Sequence, residues 1–282
     1  MKYGMNLLLW ADDLQEDMLP LLENLKEMGF DGVEVPVFDL DIDKWKKWAK
    51  HLDDIGLERT AVTVCNEDAN PISQDPAIRK KGVETLNQTL ECCQALGAYA
   101  LLGPLHSSLG VFSGKAPTRQ EWDWGVENLK IVSEQAAACG VLLGLEYLNR
   151  FETYFLTCAA DAAKFVREID HPSCRLMYDT FHAHIEEKNI TEAIHSCADH
   201  LILVHTSEND RSTPGKGGVD WKTTFDTLRE INYDGWLTIE AFGQSLEDLI
   251  AATKIWRRMY ETEDQLARDG LNFLKGEVAK RW

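Results

Sequence analysis

A regular alternation of short β-type runs with longer amphipathic segments is the feature that most constrains how this chain can fold. The short runs are rich in branched and aromatic residues, whereas the longer segments carry apolar residues at helical spacing. Strands are predicted over residues 2–10, 32–37, 58–65, 99–105, 142–148, 174–181, 201–208 and 235–242. Helices are predicted over residues 14–28, 42–55, 76–96, 119–139, 158–168, 187–199, 221–230 and 245–260. Eight strands, each followed by a helix, indicate a parallel sheet.

The predicted helix ends support this architecture. A glycine follows the last periodic residue in segments such as "LKEMGFDG" and "AAACGVLL", and the next strand begins within a few residues. An open, doubly wound sheet is the alternative, but eight regular units without a glycine-rich nucleotide loop favour closure into a (β/α)8 TIM barrel. We therefore predict a single α/β domain over residues 1–282. Residues 263–282 are predicted to form an extra, appended C-terminal helix with Leu266, Leu271 and Leu274 on its apolar side.

The composition excludes several functional classes. A formal charge of −18 argues against nucleic acid as a partner, because phosphate binding needs a basic surface. The longest apolar runs are too short for a membrane span, and the N-terminal "MKYGMNLLLWADD" does not have the pattern of a signal peptide. Seven cysteines without a CxxC pair predict reduced core thiols. We therefore expect a cytoplasmic protein with neither a nucleic-acid nor a membrane partner.

Polar side chains stand at the carboxyl ends of four consecutive predicted strands. Strand 5 ends in Glu146, strand 6 in Asp179, strand 7 in His205 and strand 8 in Glu240. In a TIM barrel these strand ends meet at one face. Three carboxylates converging without a cation would repel one another and raise their own pKa values. The set therefore predicts a divalent metal site, and its three oxygens and one imidazole favour Mn²⁺, with Co²⁺ or Mg²⁺ as alternatives.

A second layer of polar residues follows in the loops after these strands. Glu152, His182 and Arg211 lie three to six residues beyond the strand ends, where we expect them to hydrogen-bond a polyol held by the metal. The alternative is that Arg211 is a solvated loop cation and Glu152 a helix cap. We interpret Glu186 and Glu187 as structural acids in the first turn of the sixth helix, where the helix dipole favours negative charge.

Such a site suits a proton transfer next to a carbonyl group. A metal chelated by a carbonyl and a neighbouring hydroxyl makes the adjoining carbon acidic, because the enediolate charge falls on metal-bound oxygen. Glu146 and Glu240 come from strands three apart, so a carboxylate would lie on each face of that carbon. One can remove a proton and the other can return it from the opposite side. The arrangement predicts epimerisation at a carbon next to a ketone.

Four segments, taken together and in order, resemble those of one enzyme group. They are "LEYLNRFE" (145–152), "DTFHAHIEE" (179–187), "HTSENDRSTPGKG" (205–217) and "IEAF" (239–242). With them the chain resembles the ketose 3-epimerases, the group of D-tagatose 3-epimerase and D-psicose (D-allulose) 3-epimerase. That group is part of the xylose-isomerase-like sugar isomerase/epimerase barrels. The likeness extends over most of the chain.

The resemblance implies a role for each candidate residue. The four strand-end residues would bind the metal, typically Mn²⁺ or Co²⁺. Glu146 and Glu240 would also exchange the C3 proton of a ketose through a metal-bound cis-enediolate, while Glu152, His182 and Arg211 would hold the O1–O2 end of the sugar. The resemblance further implies a small-molecule sugar as substrate and a homodimer or homotetramer.

Three segments depart from the pattern of the group and leave the substrate open. They are the loop "LHSSLGVFSG" after strand 4, the pair Ala183 and His184, and the acidic "VCNED" after strand 3. Aldose–ketose isomerisation or keto-inositol dehydration on the same barrel remains an alternative reaction. A sugar-binding barrel without catalysis is an alternative from another class. A nuclease of the endonuclease IV type fits poorly with eight histidines and a charge of −18.

Overall fold

The computed structural model describes the backbone of residues 1–282 and every side chain except that of Asp248. Eight strands form a closed parallel barrel, in which each strand pairs with the next along the chain and β8 closes onto β1. The predicted TIM barrel is therefore confirmed. The strands are β1 (Lys2–Asn6), β2 (Gly32–Pro36), β3 (Glu58–Val62), β4 (Ala100–Gly103), β5 (Leu142–Glu146), β6 (Cys174–Asp179), β7 (Leu201–His205) and β8 (Trp236–Ile239).

The structure describes ten α-helices, whose ends carry the expected capping residues. The helix Ile42–Ile55, for example, begins after Asp41, whose side chain accepts the Asp43 amide, and ends at Gly56 in the left-handed conformation. No described helix is both long enough and apolar enough to cross a membrane. The helices are α1 (Leu19–Met28), α2 (Ile42–Ile55), α3 (Pro76–Leu96), α4 (Arg119–Cys139), α5 (Ala159–Ile169), α6 (Thr180–Glu186), α7 (Ile190–Cys197), α8 (Trp221–Glu230), α9 (Glu247–Thr253) and α10 (Glu263–Ala279).

The inside of the barrel has an apolar layer below a polar one. Met177 lies two residues before Asp179, and Leu203 lies two residues before His205, so the members of each pair point to the same side of their strand. The polar members stand at the carboxyl ends of the strands. The apolar layer therefore forms a floor beneath the candidate metal ligands. It consists of Ala100, Leu102, Met177, Leu203 and Trp236.

The C-terminal helix α10 packs against two helices of the outer ring. Its Phe273 ring lies 5.3 Å from the Trp221 ring of α8, and its Lys275 Nζ donates to the carbonyl of Gly29 at the end of α1. The helix therefore lies between α8 and α1. Its apolar side is buried as predicted, through Leu266, Leu271 and Leu274.

Helix α9 lies in the loop after β8. The pattern predicted one helix over residues 245–260, but α9 ends at Lys254, which takes the left-handed conformation with φ 62°. The reason is tertiary packing: Leu249 and Ile255 turn toward apolar side chains at the strand ends instead of facing the outer wall. The α9 segment therefore covers part of the barrel mouth. The apolar side chains that it covers are Leu8, Val62 and Phe242.

The helix predicted over residues 187–199 is α7 (Ile190–Cys197), and a short helix that was not predicted, α6, precedes it. Glu186 is the last residue of α6, and Glu187 follows it as the C-terminal cap, so neither acid lies in a first helical turn. Glu186 instead accepts hydrogen bonds from the backbone and guanidinium of Arg150. Glu187 accepts the amide of Ala159, the first residue of α5, at 2.7 Å. Both acids are structural, but they stabilise a neighbouring loop and a neighbouring helix rather than their own.

Candidate active site

The structure brings the four candidate metal ligands together at the mouth of the barrel. Glu146, Asp179 and His205 are the last residues of β5, β6 and β7, and Glu240 directly follows β8. All four are buried, and one ligand atom from each lies within 4.8 Å of the others. The ladder pairs Asp179 with His205 directly, which places both side chains at the same level. The convergence predicted from the strand ends is therefore present.

The charge of these carboxylates is balanced by Arg211. Its Nη1 donates to Asp179 Oδ2 at 3.0 Å and to Glu240 Oε2 at 2.5 Å. Burial alone would raise the pKa of Asp179, but the Arg211 guanidinium together with His182 and His205 outweighs it and holds that pKa well below its ordinary value. Arg211 adopts the left-handed conformation with φ 61°, which directs its side chain back into the barrel.

Two aromatic rings hold the Arg211 guanidinium in place. Its central carbon lies 3.7 Å from the ring centroid of Phe181 and 4.9 Å from that of Phe242. Its Nη1 also donates to Ser207 Oγ at 2.9 Å. Stacking and directional hydrogen bonds together fix the planar guanidinium group. A lysine ammonium in this place would lack both the planar face and the fixed donor geometry. Arg211 is therefore a built part of the site and not a solvated loop cation.

His182 lies beside Arg211, with its Nε2 3.2 Å from Arg211 Nη2. Its Nδ1 accepts the backbone amide of Asn149 at 3.0 Å, so the ring proton is carried by Nε2. That nitrogen lies 3.4 Å from Glu146 Oε1 and 3.8 Å from Asp179 Oδ2. Burial raises the pKa of Glu146, while His182 favours its ionised form. The glutamate is therefore both desolvated and oriented.

Glu152 lies farther out than the other two residues of the predicted second layer. Its carboxylate accepts from Asn149 Nδ2 at 2.8 Å, and the same Nδ2 lies 3.0 Å from His182 Nδ1, which links Glu152 to the His182 ring. With Glu240 and Asp179, the negative charge of Glu152 also raises the pKa of Arg211. The Glu152 carbonyl accepts the amide of Gly110 from the loop after β4. Glu152 is half-buried at the rim, in position to meet a ligand that stands above the four buried residues.

The loops that depart from the family pattern are tied to this rim. The amide of Leu109 donates to the carbonyl of Cys65, and Ser108 Oγ donates to that of Asn66, so the loops after β3 and β4 are joined. Both loops follow the carboxyl ends of their strands and therefore lie over the barrel mouth. His184, by contrast, is exposed on α6, and its ring packs near the backbone of Gly218. It does not line the buried cluster.

Two buried side chains that support the ligands were not identified from the sequence. Glu34 in β2 accepts from His205 Nε2 at 2.8 Å. His106, after β4, donates through Nε2 to the carbonyl of Glu146 at 2.8 Å, and burial lowers its pKa to about 4, so the ring is neutral. An acid in the middle of the apolar run "GVEVPV" was the available signal for Glu34. The segment "GPLHS" was a weaker signal for His106.

The arrangement fits a divalent cation. His205 Nδ1 is buried and has no hydrogen-bond partner among the described residues. It faces Glu240 Oε1 at 3.3 Å and Asp179 Oδ2 at 3.8 Å. His205 Nε2 donates its proton to Glu34, so the ring's lone pair is on Nδ1. This lone pair and the carboxylate oxygens face one another across a small gap. A cation is the group that satisfies all of them at once.

The same fold and the same strand-end residues lead to one family. A family model described as a xylose isomerase-like TIM barrel matches residues 22–276. An L-ribulose 3-epimerase from Mesorhizobium japonicum is 33% identical, over 97% of this chain and 93% of its own length. A solved structure of an L-ribulose 3-epimerase has a TM-score of 0.92 and 32% identity, covering 100% of this chain and 96% of that one. A D-psicose 3-epimerase from Clostridium cellulolyticum H10, solved with D-tagatose, has a TM-score of 0.89 and 28% identity, covering 99% of each chain.

The chain belongs to the xylose isomerase-like TIM-barrel family. Within that family it is a member of the ketose 3-epimerase group, whose named relatives are isomerase-class enzymes. The resemblance carried by the four sequence segments is therefore confirmed, as is the prediction of an enzyme.

Proposed function

We propose that this protein epimerises a ketose at C3 in a divalent-metal-dependent reaction that passes through a cis-enediolate of the sugar. The observation that carries the proposal is the placement of two buried glutamates, Glu146 and Glu240, at the ends of β5 and β8. Asp179 and His205 stand between them on β6 and β7. A carbon held above the two middle residues would have one carboxylate on each side, which supports proton removal from one face and return to the other.

We propose Mn²⁺ as the resident cation, with Co²⁺ or Mg²⁺ as alternatives. Glu146, Asp179, His205 and Glu240 would hold it, and three oxygens with one nitrogen suit such fairly hard ions. When bound, the cation supplies positive charge to the carbonyl and hydroxyl oxygens of the sugar and so makes the C3 proton more acidic.

The glutamates perform the proton transfer in this proposal. One carboxylate takes the C3 proton, and the electron pair of the C–H bond forms the C2–C3 double bond while the carbonyl oxygen gains the negative charge. The other, protonated glutamate then gives a proton to C3 from the opposite face. Burial raises the pKa of Glu146, which makes it a better proton acceptor than an exposed carboxylate. Exchange with solvent restores the starting protonation states.

The second layer is proposed to hold the O1–O2 end of the ketose. His182 presents Nε2–H beside Glu146, and Arg211 presents its guanidinium beside Glu240, so donors stand next to each catalytic carboxylate. Glu152 supplies an acceptor at the rim, oriented by Asn149. Together the three residues would orient the sugar so that C3 lies between the glutamates.

We propose free ketoses of the D-tagatose, D-psicose and D-fructose type as substrates, because the relatives are named as 3-epimerases of D-psicose and L-ribulose. We also propose a cytoplasmic location, supported by seven free cysteines, six of them buried. A homodimer or homotetramer is proposed from the family resemblance alone.

The test follows the hydrogen at C3 directly. The Mn²⁺-loaded protein is incubated with D-fructose, D-psicose, D-tagatose and L-ribulose in D₂O, and the recovered sugars are analysed by NMR. We expect C3 epimers that carry deuterium at C3, and we expect a metal-depleted sample to lose this activity. Deuterium only at C1 of recovered fructose would indicate aldose–ketose isomerisation instead. Loss of water from a keto-inositol would indicate a dehydratase, and binding without exchange would indicate a non-catalytic sugar-binding barrel.

A further inference from the structure

A second buried network lies behind His205, three strands away around the barrel. Glu34, in the middle of β2, is fully buried, and its Oε1 accepts from His205 Nε2 at 2.8 Å and from Asn6 Nδ2 at 2.7 Å. Its Oε2 accepts from Thr60 Oγ1 at 3.1 Å. Strands β1, β2 and β3 thus contribute one side chain each to a network that ends on an imidazole from β7.

A backbone amide fixes the direction of the hydrogen bond between Asn6 and Glu34. The amide of Leu8 can only donate, and it donates to Asn6 Oδ1 at 2.8 Å. The Asn6 side chain therefore turns its NH₂ group toward Glu34, and Glu34 Oε1 must be an acceptor. An acceptor at that position requires that His205 carry its proton on Nε2. The lone pair of the ring is then left on Nδ1, the atom that faces Asp179 and Glu240.

We propose that Glu34 is a positioning residue that selects Nδ1 of His205 as the metal-binding atom and holds the ring in that orientation. The inference rests on the proposed function in that it assumes a cation at the four-residue cluster. A carboxylate hydrogen-bonded to the far nitrogen of a metal-binding histidine also increases the basicity of the ligand. In this role Glu34 touches neither substrate nor metal and acts through His205; it also binds Asn6, whose Nδ2 lies 3.4 Å from Glu240 Oε1.

The first test reads the tautomer in the wild-type chain. Protein labelled with ¹⁵N-histidine and loaded with diamagnetic Mg²⁺ is examined by long-range ¹H–¹⁵N correlation, and the His205 signals are assigned by their loss in His205→Gln. We expect the proton on Nε2 and none on Nδ1. A His205 ring that is protonated on Nδ1 would overturn the proposal, and this measurement does not depend on whether any Glu34 variant folds.

The second test measures metal affinity in Glu34→Gln, which keeps the size of the side chain but removes its charge. We expect calorimetry with Mn²⁺ to show about 10–100-fold weaker binding than in the wild type. The matched control is Glu277→Gln, another buried glutamate, which pairs with Lys280 and Arg281 near the end of α10 and should bind Mn²⁺ as the wild type does. Equal Mn²⁺ affinity in Glu34→Gln and the control would overturn the proposal.

The measurements separate this inference from the proposed reaction. If Glu34→Gln loses Mn²⁺ affinity while the wild type exchanges no C3 hydrogen, the positioning role holds and the proposed function fails. If the wild type epimerises ketoses while Glu34→Gln binds Mn²⁺ normally, the positioning role alone fails. A purely structural role would lower the unfolding midpoint of Glu34→Gln without weakening Mn²⁺ binding, and would therefore also contradict the proposal.

Discussion

Replacing Arg211 by methionine would remove the positive charge that two buried carboxylates share. Arg211, Asp179 and Glu240 have side chains that are 6%, 0% and 7% exposed, so water cannot replace the lost partner. Removing one member of a buried ion pair costs about 3–5 kcal/mol, because the remaining charge is left uncompensated. Methionine retains an apolar stem to lie between Phe181 and Phe242, so the expected loss is mainly electrostatic.

Arg281→Met provides the matched control. Arg281 also contacts two carboxylates, donating to Asp226 at 2.5 Å and to Glu277 at 2.7 Å, but Asp226 is 39% exposed. Solvent screens the Arg281–Asp226 pair, and Lys280 still pairs with Glu277 after the substitution, so neither carboxylate is left without compensation. The two variants therefore remove the same group from similar geometries in different dielectric surroundings.

The assay is urea unfolding in EDTA and again in excess Mn²⁺. In EDTA we expect Arg211→Met to lose about 3–5 kcal/mol of unfolding free energy, and Arg281→Met to lose less than Arg211→Met. In Mn²⁺ the deficit of Arg211→Met should shrink, because the cation neutralises the same carboxylates. Equal losses for the two variants in EDTA, or a deficit that Mn²⁺ leaves unchanged, would refute this reasoning.

Three further predictions concern catalysis, packing and pH. Glu240→Gln should lower kcat for C3 exchange by about 10²–10⁴-fold while calorimetry still detects sugar binding; wild-type turnover would contradict the proposed mechanism. Gly144→Ala places a methyl group 2.3 Å from Leu102 Cδ2 in the barrel floor. Because this contact is too close, thermal unfolding should show a loss of about 1–3 kcal/mol of unfolding free energy. Unchanged stability would show that the floor can repack. Hydrogen bonds from a backbone amide and the Tyr154 hydroxyl outweigh burial and lower the pKa of Glu121 below its ordinary 4.5. The ionised Glu121 therefore stabilises the fold above that pH, and this contribution is lost as the pH falls through the folded-state pKa. Glu121→Gln should cost about 1 kcal/mol of unfolding free energy at pH 7, and the difference should disappear in acid. A cost that does not depend on pH would argue against an ionised helix cap.

The barrel and its four strand-end ligands could be predicted because their signals are local. Each βα unit repeats the same change from a β-type run to an apolar stripe at helical spacing, and each candidate ligand directly ends its run. In a closed parallel barrel, the strands bring those ends to one face, and the ladder pairs Asp179 directly with His205. Local pattern and barrel geometry together were sufficient to predict this convergence.

The features that were missed depend on contacts between distant segments. Glu34 matters because of a histidine 171 residues away, and nothing in its own strand identifies that partner. Glu187 resembles an acid in a first helical turn, but the amide that it accepts belongs to α5. The segment 245–260 has helical periodicity, yet Ile255 packs over the mouth, and it is α10 that lies between α8 and α1.

The same geometry separates the parts of the site that perform chemistry from the parts that differ within the family. The candidate metal ligands stand at the ends of β5 to β8 and are supported from below by an apolar floor and from the side by Glu34 and Arg211. The loop after β4 reaches this cluster through His106, which donates to the Glu146 carbonyl, and through Gly110, whose amide donates to the Glu152 carbonyl. Substitutions of exposed residues in the loops after β3 and β4 therefore act on the rim, while the carboxylates beneath keep their partners. Because His184 is exposed, we expect these two loops to bear more directly than His184 on the fit of the proposed sugar substrate.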